Sequence, residues 1–473
     1  MTDGSYQAVM ARKNQIIRAS VGIDYEQFNT GRMTFDYEGM MRQTGYALAE
    51  IISIQRAAGV GNTPLLELRN LTRLARDTAE PGYGARILVK DEAANPSGSF
   101  KARRAAVSVF HAKRHGYPGV LAATSGNYGA AVASQAAIQG LNCIIVQEVY
   151  DSRGVGQPEI VEKGRVCEAY GAEVVQLSVG PELFYVALRL LEETGYFNAS
   201  LYTPFGIAGI ETLGYEIGME VKERYGRPPD AVVVTHAGGG NVTGTARGLA
   251  RAGCKDTTVI GASVDLRGLH MASDHDFNRK SFTTGHTGFG VPFATWPDRT
   301  DVPRNAARPL RYLERYVLVT QGDVFYTTEA LAQLEGLERG PAGNTSLAAA
   351  IALAREMKSD EILVVQETEY TGAGKHPSAQ LTFARESGVE IKLGDPALNV
   401  PGQVIIIPEQ PEQVKVRDYD LDGARKSYLR NAVSNFGLSY VTTGEMEFLA
   451  AETRSDVQFV QAVLRELGVE CPC

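Results

Sequence analysis

From about residue 86 onward, short unbroken apolar runs alternate with longer segments whose apolar positions recur at helical spacing. "ARILVKD" predicts a strand, and "SFKARRAAVSVFHAKRHG" predicts a helix that stops at Gly116. "GVLAAT" predicts the next strand, "NYGAAVASQAAIQG" a helix and "LNCIIVQ" a strand. The theme repeats in "IVEKGRVCEAYG", "AEVVQLS" and "PELFYVALRLLEETG". A longer helical pattern, "GIETLGYEIGMEVKERYG", precedes the strand "DAVVVTHA", and the helix "VTGTARGLARAG" and strand "TTVIGASV" follow. Strands apolar on both faces, separated by helices, belong in parallel sheets covered on both sides.

Residues 264–326 break the rhythm. This stretch is rich in Gly, Pro, Thr and His and predicts a long irregular segment, of a kind often functional in compact enzymes. The alternation resumes with "NTSLAAAIALAREMK" and "EILVVQETEY". After about residue 396 the pattern reads as a tail with strand-like "GQVIIIPE" and a last helix, "SDVQFVQAVLRELG". There is no internal repeat and no low-complexity run.

Composition narrows the class. A chain of 473 residues, 44 % hydrophobic and 22 % charged, suits a soluble globular protein with a large core. A net charge of −8 offers no global attraction to nucleic acid or an anionic membrane. No apolar run is long enough to span a bilayer. "MTDGSYQAVMARKNQIIRAS" lacks the apolar core and cleavage site of a secretory signal, so the expectation is a cytoplasmic protein. Cys143, Cys167 and Cys254 sit in apolar segments and read as buried thiols. Cys471 and Cys473 form a terminal "CPC", either a metal or redox pair or a frayed end; with no His or second Cys pair nearby, no metal site is expected.

Three short stretches carry candidate chemistry. In "VVVTHAGGGNVTGTARGL", Gly238, Gly239 and Gly240 follow a buried strand and open a helix. Such a loop is either a tight turn or a cradle whose N–H groups bind a phosphate dianion, and three glycines exceed what a turn needs. No Gly-Lys-Ser/Thr follows, and Thr243 stands where a dinucleotide fingerprint needs its third glycine. In "ATSGNYGAA", Thr124, Ser125, Gly126 and Asn127 join a strand to a helix; they could cap that helix or hold a carboxylate. In "NPSGSFKARRAA", Lys101 starts a helix, where its charge opposes the helix dipole. Burial at such a place favours the neutral amine that attacks a carbonyl. Phosphate loop, carboxylate loop and lysine together describe pyridoxal phosphate (PLP) acting on an amino acid.

The order of "GNTPLLEL" (61–68), "KDEAANPSGSFKARRA" (90–105), "TSGNYGAAVA" (124–133), "GIETLGYEI" (209–217) and "AGGGNVTGT" (237–245) resembles the tryptophan synthase β, cysteine synthase and threonine synthase group. The resemblance covers about residues 60 to 375 and implies the fold type II PLP architecture. That is an α/β fold of two open parallel twisted sheets covered by helices, with the cofactor in the cleft between domains. It implies an N-terminal extension (1–59), a large PLP-binding domain (60–97 and 206–395), a small mobile domain (98–205) and a C-terminal extension (396–473). By this resemblance Lys101 bonds covalently to the cofactor and shuttles protons, and Phe100 and Asn127 flank its ring. Gly238, Gly239, Gly240 and Asn241 hold its phosphate. Thr124, Ser125, Gly126 and Asn127 receive the substrate carboxylate. A neutral hydroxyl faces the ring nitrogen, Thr368 first and Thr371 second, although Glu367 and Glu369 adjoin them.

Within the group, "YQAVMARKNQIIRASVGIDYEQF", "FDYEGMM", "DEAANPSGSFKARRA" and "ATSGNYGAAVASQAA" are most similar to the β subunits of 2-amino-4-ketopentanoate thiolases of ornithine degradation. Those are expected to read Lys-Asp-Arg-Arg where this chain has Lys101-Ala102-Arg103-Arg104. The resemblance implies thiolytic cleavage by coenzyme A (CoA) to alanine and acetyl-CoA, with a small α subunit as partner and a homodimeric core. No second phosphate loop for CoA is visible. Arg267, His270, His275, Lys280 and His286 could contact it, or could simply be solvated loop residues. The competing readings are a stand-alone PLP lyase or β-replacement enzyme, a sensor that keeps the fold, and a dehydrogenase that lacks its fingerprint.

Overall fold

The computed structural model describes residues 3–124, 126–180, 182–269, 274–283, 299–370 and 377–472. In chain order its strands are β1 (Leu65–Glu67), β2 (Arg86–Asp91), β3 (Gly119–Thr124), β4 (Asn142–Tyr150), β5 (Glu173–Ser178), β6 (Phe197–Asn198) and β7 (Ala231–Thr235). Then come β8 (Thr258–Val264), β9 (Arg315–Val319), β10 (Ile362–Glu367), β11 (Glu390–Leu393), β12 (Val404–Ile407) and β13 (Arg417–Asp418).

Two sheets dominate. The larger runs β1-β2-β10-β7-β8-β9-β13 and the smaller β5-β4-β3-β6. Every pairing in the small sheet is parallel. In the large sheet β2, β10, β7, β8 and β9 are parallel, while the edge strands β1 and β13 pair antiparallel. The centre is therefore as the apolar runs predict, and the two short edge strands depart from an all-parallel sheet. β10, from late in the chain, inserts between β2 and β7 and places Val365 beside both Val89 and Val233. All three are buried, which is why these strands read as continuous apolar runs.

The helices of the alternation form where the pattern predicts, including Lys101–Arg114, Asn127–Gln139, Pro204–Tyr225 and Gly240–Arg251. The last two cross closely. A Cβ on Gly214 would overlap the Thr245 carbonyl, and one on Gly248 the Glu211 carbonyl. This contact fixes where the Gly240–Arg251 helix begins, and hence where the glycine loop sits.

Two regions are more structured than their sequence suggests. Inside 264–326 lies β9, the last parallel strand of the large sheet. Its five residues are too short a run to stand out beside the polar segment before it. After residue 396 the expected strand and last helix form as β12 and Val457–Glu466, and the chain adds β13 and the helices Leu421–Phe436 and Thr443–Thr453. Tyr428, Leu429, Leu449, Val460 and Leu464 share one buried cluster with Val232 and Val234 of β7. The N-terminal helices contribute Val9, Ile16, Ile17 and Met40 to the cluster under the small sheet. Cys143, Cys167 and Cys254 are buried free thiols, and burial pushes Cys143 and Cys167 up to about 12.

Candidate active site

The "NPSGSFK" stretch is a turn sewn into its surroundings before it is anything else. Ser97 and Gly98 are both left-handed, at φ 63° and 70°, an unfavourable conformation for serine. Backbone hydrogen bonds offset that strain locally: Gly98 N donates to Asn95 O at 2.9 Å, Tyr370 N to Gly98 O at 2.8 Å and Phe100 N to Thr368 O at 3.1 Å. Lys101 thereby starts its helix directly beside the end of β10. The Asn95 amide donates to the Glu92 carboxylate and accepts from Gly61 N, both at 2.9 Å, so "GNTP" and "NPSG" are held to each other.

Arg103 completes this frame. It is fully buried and bidentate to two acids, Glu92 at 2.7 and 2.8 Å and Glu216 at 2.9 and 2.7 Å. Lys90 also approaches Glu216, at 3.2 Å. Burial would raise the Glu216 carboxyl, but the charges of Arg103 and Lys90 hold it down at about 2. Three of the recurring motifs thus meet at one buried ion cluster, which fixes the first turn of the Lys101–Arg114 helix. Ala102 packs in a small apolar cluster with Ala58, Val60 and Ala106.

The glycine loop leaves β7. Gly239 is left-handed, at φ 82°, and its open side is closed by the ring of Pro309, with which a Cβ would collide. A Cβ on Gly238 would overlap the Tyr202 hydroxyl. His236, just before the loop, is buried, and that burial lowers it to about 3, so it stays neutral.

A cavity of about 140 Å³ lies where these pieces converge. Four helices begin at its wall: Lys101–Arg114, Asn127–Gln139, Pro158–Ala169 and Gly240–Arg251. None of the four has a side-chain cap at its N-terminus. Ordinarily such orphan N–H groups are capped, and the neighbouring Pro204–Tyr225 helix is, by Thr203. Here the polar side chains are held back. Asn127 Oδ1 and Asn241 Nδ2 are buried without a hydrogen-bond partner, and nothing lies within 4 Å of the space a Cβ would take on Gly126. The field of four helix N-termini, with Lys101 and Arg104 on the wall, is that of a site for an anionic ligand. Thr124 and Asn127 therefore do not cap the Asn127–Gln139 helix, the plainer of their two readings.

The structure brings Phe100, Lys101, Thr124, Gly126, Asn127, Gly238, Gly239, Gly240, Asn241 and Thr368 to this one cavity. Ser125 and Thr371 lie outside the described residues. Glu369 joins the wall beside Thr368. Glu367 is fully buried, and burial, then the neighbouring Glu369 charge, raises its carboxyl far above the usual range. Sequence reasoning missed Arg104, Gln157, Glu159 and Tyr202 in the wall. It flagged the irregular segment but not its cavity residues, Phe277 and Asn278. Of the basic residues singled out there, Arg267 donates to the Asn399 carbonyl at 3.0 Å and Lys280 pairs with Asp274 at 2.6 Å. His275 accepts at its carbonyl from Ser152 N at 3.0 Å, and His270 and His286 lie outside the described residues. Among the described residues no group of His, Cys, Asp and Glu could hold a metal ion.

An open α/β fold with a lysine at a helix start, facing a glycine loop, is the layout of an enzyme class, and the family comparison agrees. The family model "Pyridoxal-phosphate dependent enzyme" matches residues 57–367, and the chain belongs to that family, on the branch of the 2-amino-4-ketopentanoate thiolase β subunits. One such subunit, from an unknown prokaryotic organism, is 68 % identical over 99 % of each chain. Another, from Acetoanaerobium sticklandii, is 65 % identical over 98 % of this chain and 99 % of its own length. Among solved structures, a threonine deaminase from T.th. aligns with a TM-score of 0.53 at 27 % identity, over 69 % of this chain and 99 % of that one.

Proposed function

We propose that this chain is the PLP-bearing β subunit of a thiolase that cleaves 2-amino-4-ketopentanoate with CoA, giving alanine and acetyl-CoA. The observation that carries the reading is the single cavity in which a lysine amine, two uncapped loops and unpartnered amide groups face one another. Those residues fit PLP by their chemistry: an amine for its aldehyde, N–H donors for its phosphate and an aromatic ring, Phe100, beside its heterocycle. Lys101 Nζ stands 5.7 Å from the centre of that ring.

When bound, PLP supplies an electron sink conjugated to the substrate Cα. The chain does the rest. Gly238 to Asn241 bind the phosphate, and Thr124, Gly126 and Asn127, with Ser125, bind the substrate carboxylate. Lys101 would hold the cofactor through its amine and would move the proton at the substrate Cα. Thr368 would offer a neutral hydroxyl to the ring nitrogen, and beside it burial raises the Glu367 carboxyl far above the usual range. The CoA thiol adds to the C4 ketone of the substrate, the Cβ–Cγ bond breaks, and Cβ takes up a proton, so acetyl goes to sulfur and alanine remains. We assign residues 60–97 and 206–395 to the large cofactor domain and 98–205 to the small one. The cavity residues from the Lys101–Arg114 and Asn127–Gln139 helices and from the glycine loop belong to different sheets' surroundings, which supports a site between them. Arg267 and Lys280 are engaged within this chain, which supports a separate α subunit as the binder of CoA, with two copies of this chain at the core. No described helix is long and apolar enough to cross a membrane, and we place the enzyme in the cytoplasm.

Borohydride reduction of the PLP-loaded protein followed by peptide mapping should leave the pyridoxyl group on Lys101; a label on another lysine overturns the site. Acetyl-CoA should form from substrate and CoA only when the α subunit is added. Full turnover by this chain alone overturns the division of labour.

A further inference from the structure

Two arginines follow Lys101, and they have opposite fates. Arg103 is neutralised by two carboxylates. Arg104 is almost as deeply buried, 3 % exposed, yet among the described residues no acid forms an ion pair with it. Its Nη1 donates to the Leu201 carbonyl at 3.0 Å, its guanidinium lies 5.5 Å from the centre of the Phe100 ring, and its Nε has no hydrogen-bond partner. Burial draws its pKa down to about 10. A cation in this condition is costly unless an anion arrives.

Its direction says where the anion goes. A Cβ built on Gly240 would stand 2.5 Å from Arg104 Nη2, so the guanidinium abuts the first residue of the Gly240–Arg251 helix. That helix is 12 residues long and uncapped. A cation held against a positive helix end is repelled by it, and the unpartnered Asn241 Nδ2 is a further donor at the same place, on a side chain 5 % exposed. Three kinds of donor crowd together, and among the described residues no carboxylate forms an ion pair with the guanidinium.

We propose that Arg104 is a binding residue for the cofactor's phosphate, completing with the Gly238–Asn241 loop a site that is electrostatically unfinished until a dianion enters. This rests on the PLP reading above for the identity of the ligand, but the anion site itself does not. A guanidinium gives two N–H donors in one plane to such a group. A substrate carboxylate is the other possible owner of this charge, and the contact with Gly240 favours the phosphate.

The test uses the full-length chain freed of cofactor, in wild-type form and as Arg104→Met and Arg104→Lys. The probes are inorganic phosphate, PLP and pyridoxal, which lacks the phosphate. Inorganic phosphate should raise the Tm of the wild type and scarcely move that of Arg104→Met. PLP affinity should fall at least about thirtyfold in Arg104→Met, be partly restored in Arg104→Lys, and pyridoxal affinity should hardly change. Equal losses for PLP and pyridoxal would overturn the proposal, because the arginine would then only shape the pocket. So would unchanged phosphate protection. If the wild type responds to phosphate through Arg104 but takes no PLP onto Lys101, the anion site stands and the PLP reading falls.

Discussion

At the scale of single residues, the site is a set of places where an ordinary side chain would not fit or an ordinary partner is withheld. Gly239 shows the first. Its φ of 82° costs an L-residue about 1–2 kcal/mol, and a Cβ would also strike Pro309. Gly239→Ala should therefore shift the loop and weaken PLP binding by about tenfold or more, on the order of 1.4 kcal/mol. Titration of the cofactor-free protein checks this, and unchanged affinity would make the glycine run a mere turn. The choice of glycine was legible in the sequence. The withheld partners were not, because nothing in a sequence tells whether Asn127 caps its own helix or leaves Oδ1 open.

At the scale of elements, the motifs have two jobs. Asn95, Arg103 and Glu216 each lie in a stretch that marks the family, yet none of them lines the cavity; they lock the turn before Lys101. Glu216, held down at about 2, is ionised in the folded state when its unfolded counterpart, near the ordinary 4.5, is already taking up protons. Its contribution is present above about pH 4.5 and is lost as pH falls toward 2, by up to about 1.4 kcal/mol per pH unit. Glu216→Gln should make acid unfolding less steep in that window while lowering stability at neutral pH, by roughly 1–3 kcal/mol for the charged hydrogen bonds lost. Urea unfolding at a series of pH values measures both. An unchanged slope would mean that the cluster does not hold the folded state. Alternating strands and helices were readable by period; the ion cluster was not, since Arg103 and Glu216 stand 113 residues apart in the chain.

At the scale of the whole molecule, the C-terminal helices are part of the core. Tyr428, Leu429, Leu449, Val460, Val463 and Leu464 are buried in the cluster that includes β7. Each such side chain is worth roughly 1.5–3 kcal/mol, and a folded chain has a net stability of only about 5–15 kcal/mol. Deletion after Asp420 should yield aggregated protein on size-exclusion chromatography; a soluble monodisperse product with an unchanged Tm would show the helices to be an ornament. Arg308, buried against Glu452, directly precedes Pro309, which closes the glycine loop, so the same deletion should also loosen the cofactor.

The sequence by itself determined the alternation of strands and helices and the parallel centre of both sheets, because apolar period is local, and its ordered motifs carried the resemblance to the family. It did not place β1 or β13, too short at three and two residues to show a period, nor the packing of the chain's last helices into the core. Tertiary structure alone decided that β10 inserts between β2 and β7, bringing Thr368 to Lys101. It alone also separated Arg103 from Arg104. Adjacent and identical in sequence, the two differ only in what the fold brings to meet them: two carboxylates for one, and for the other the uncapped end of a helix.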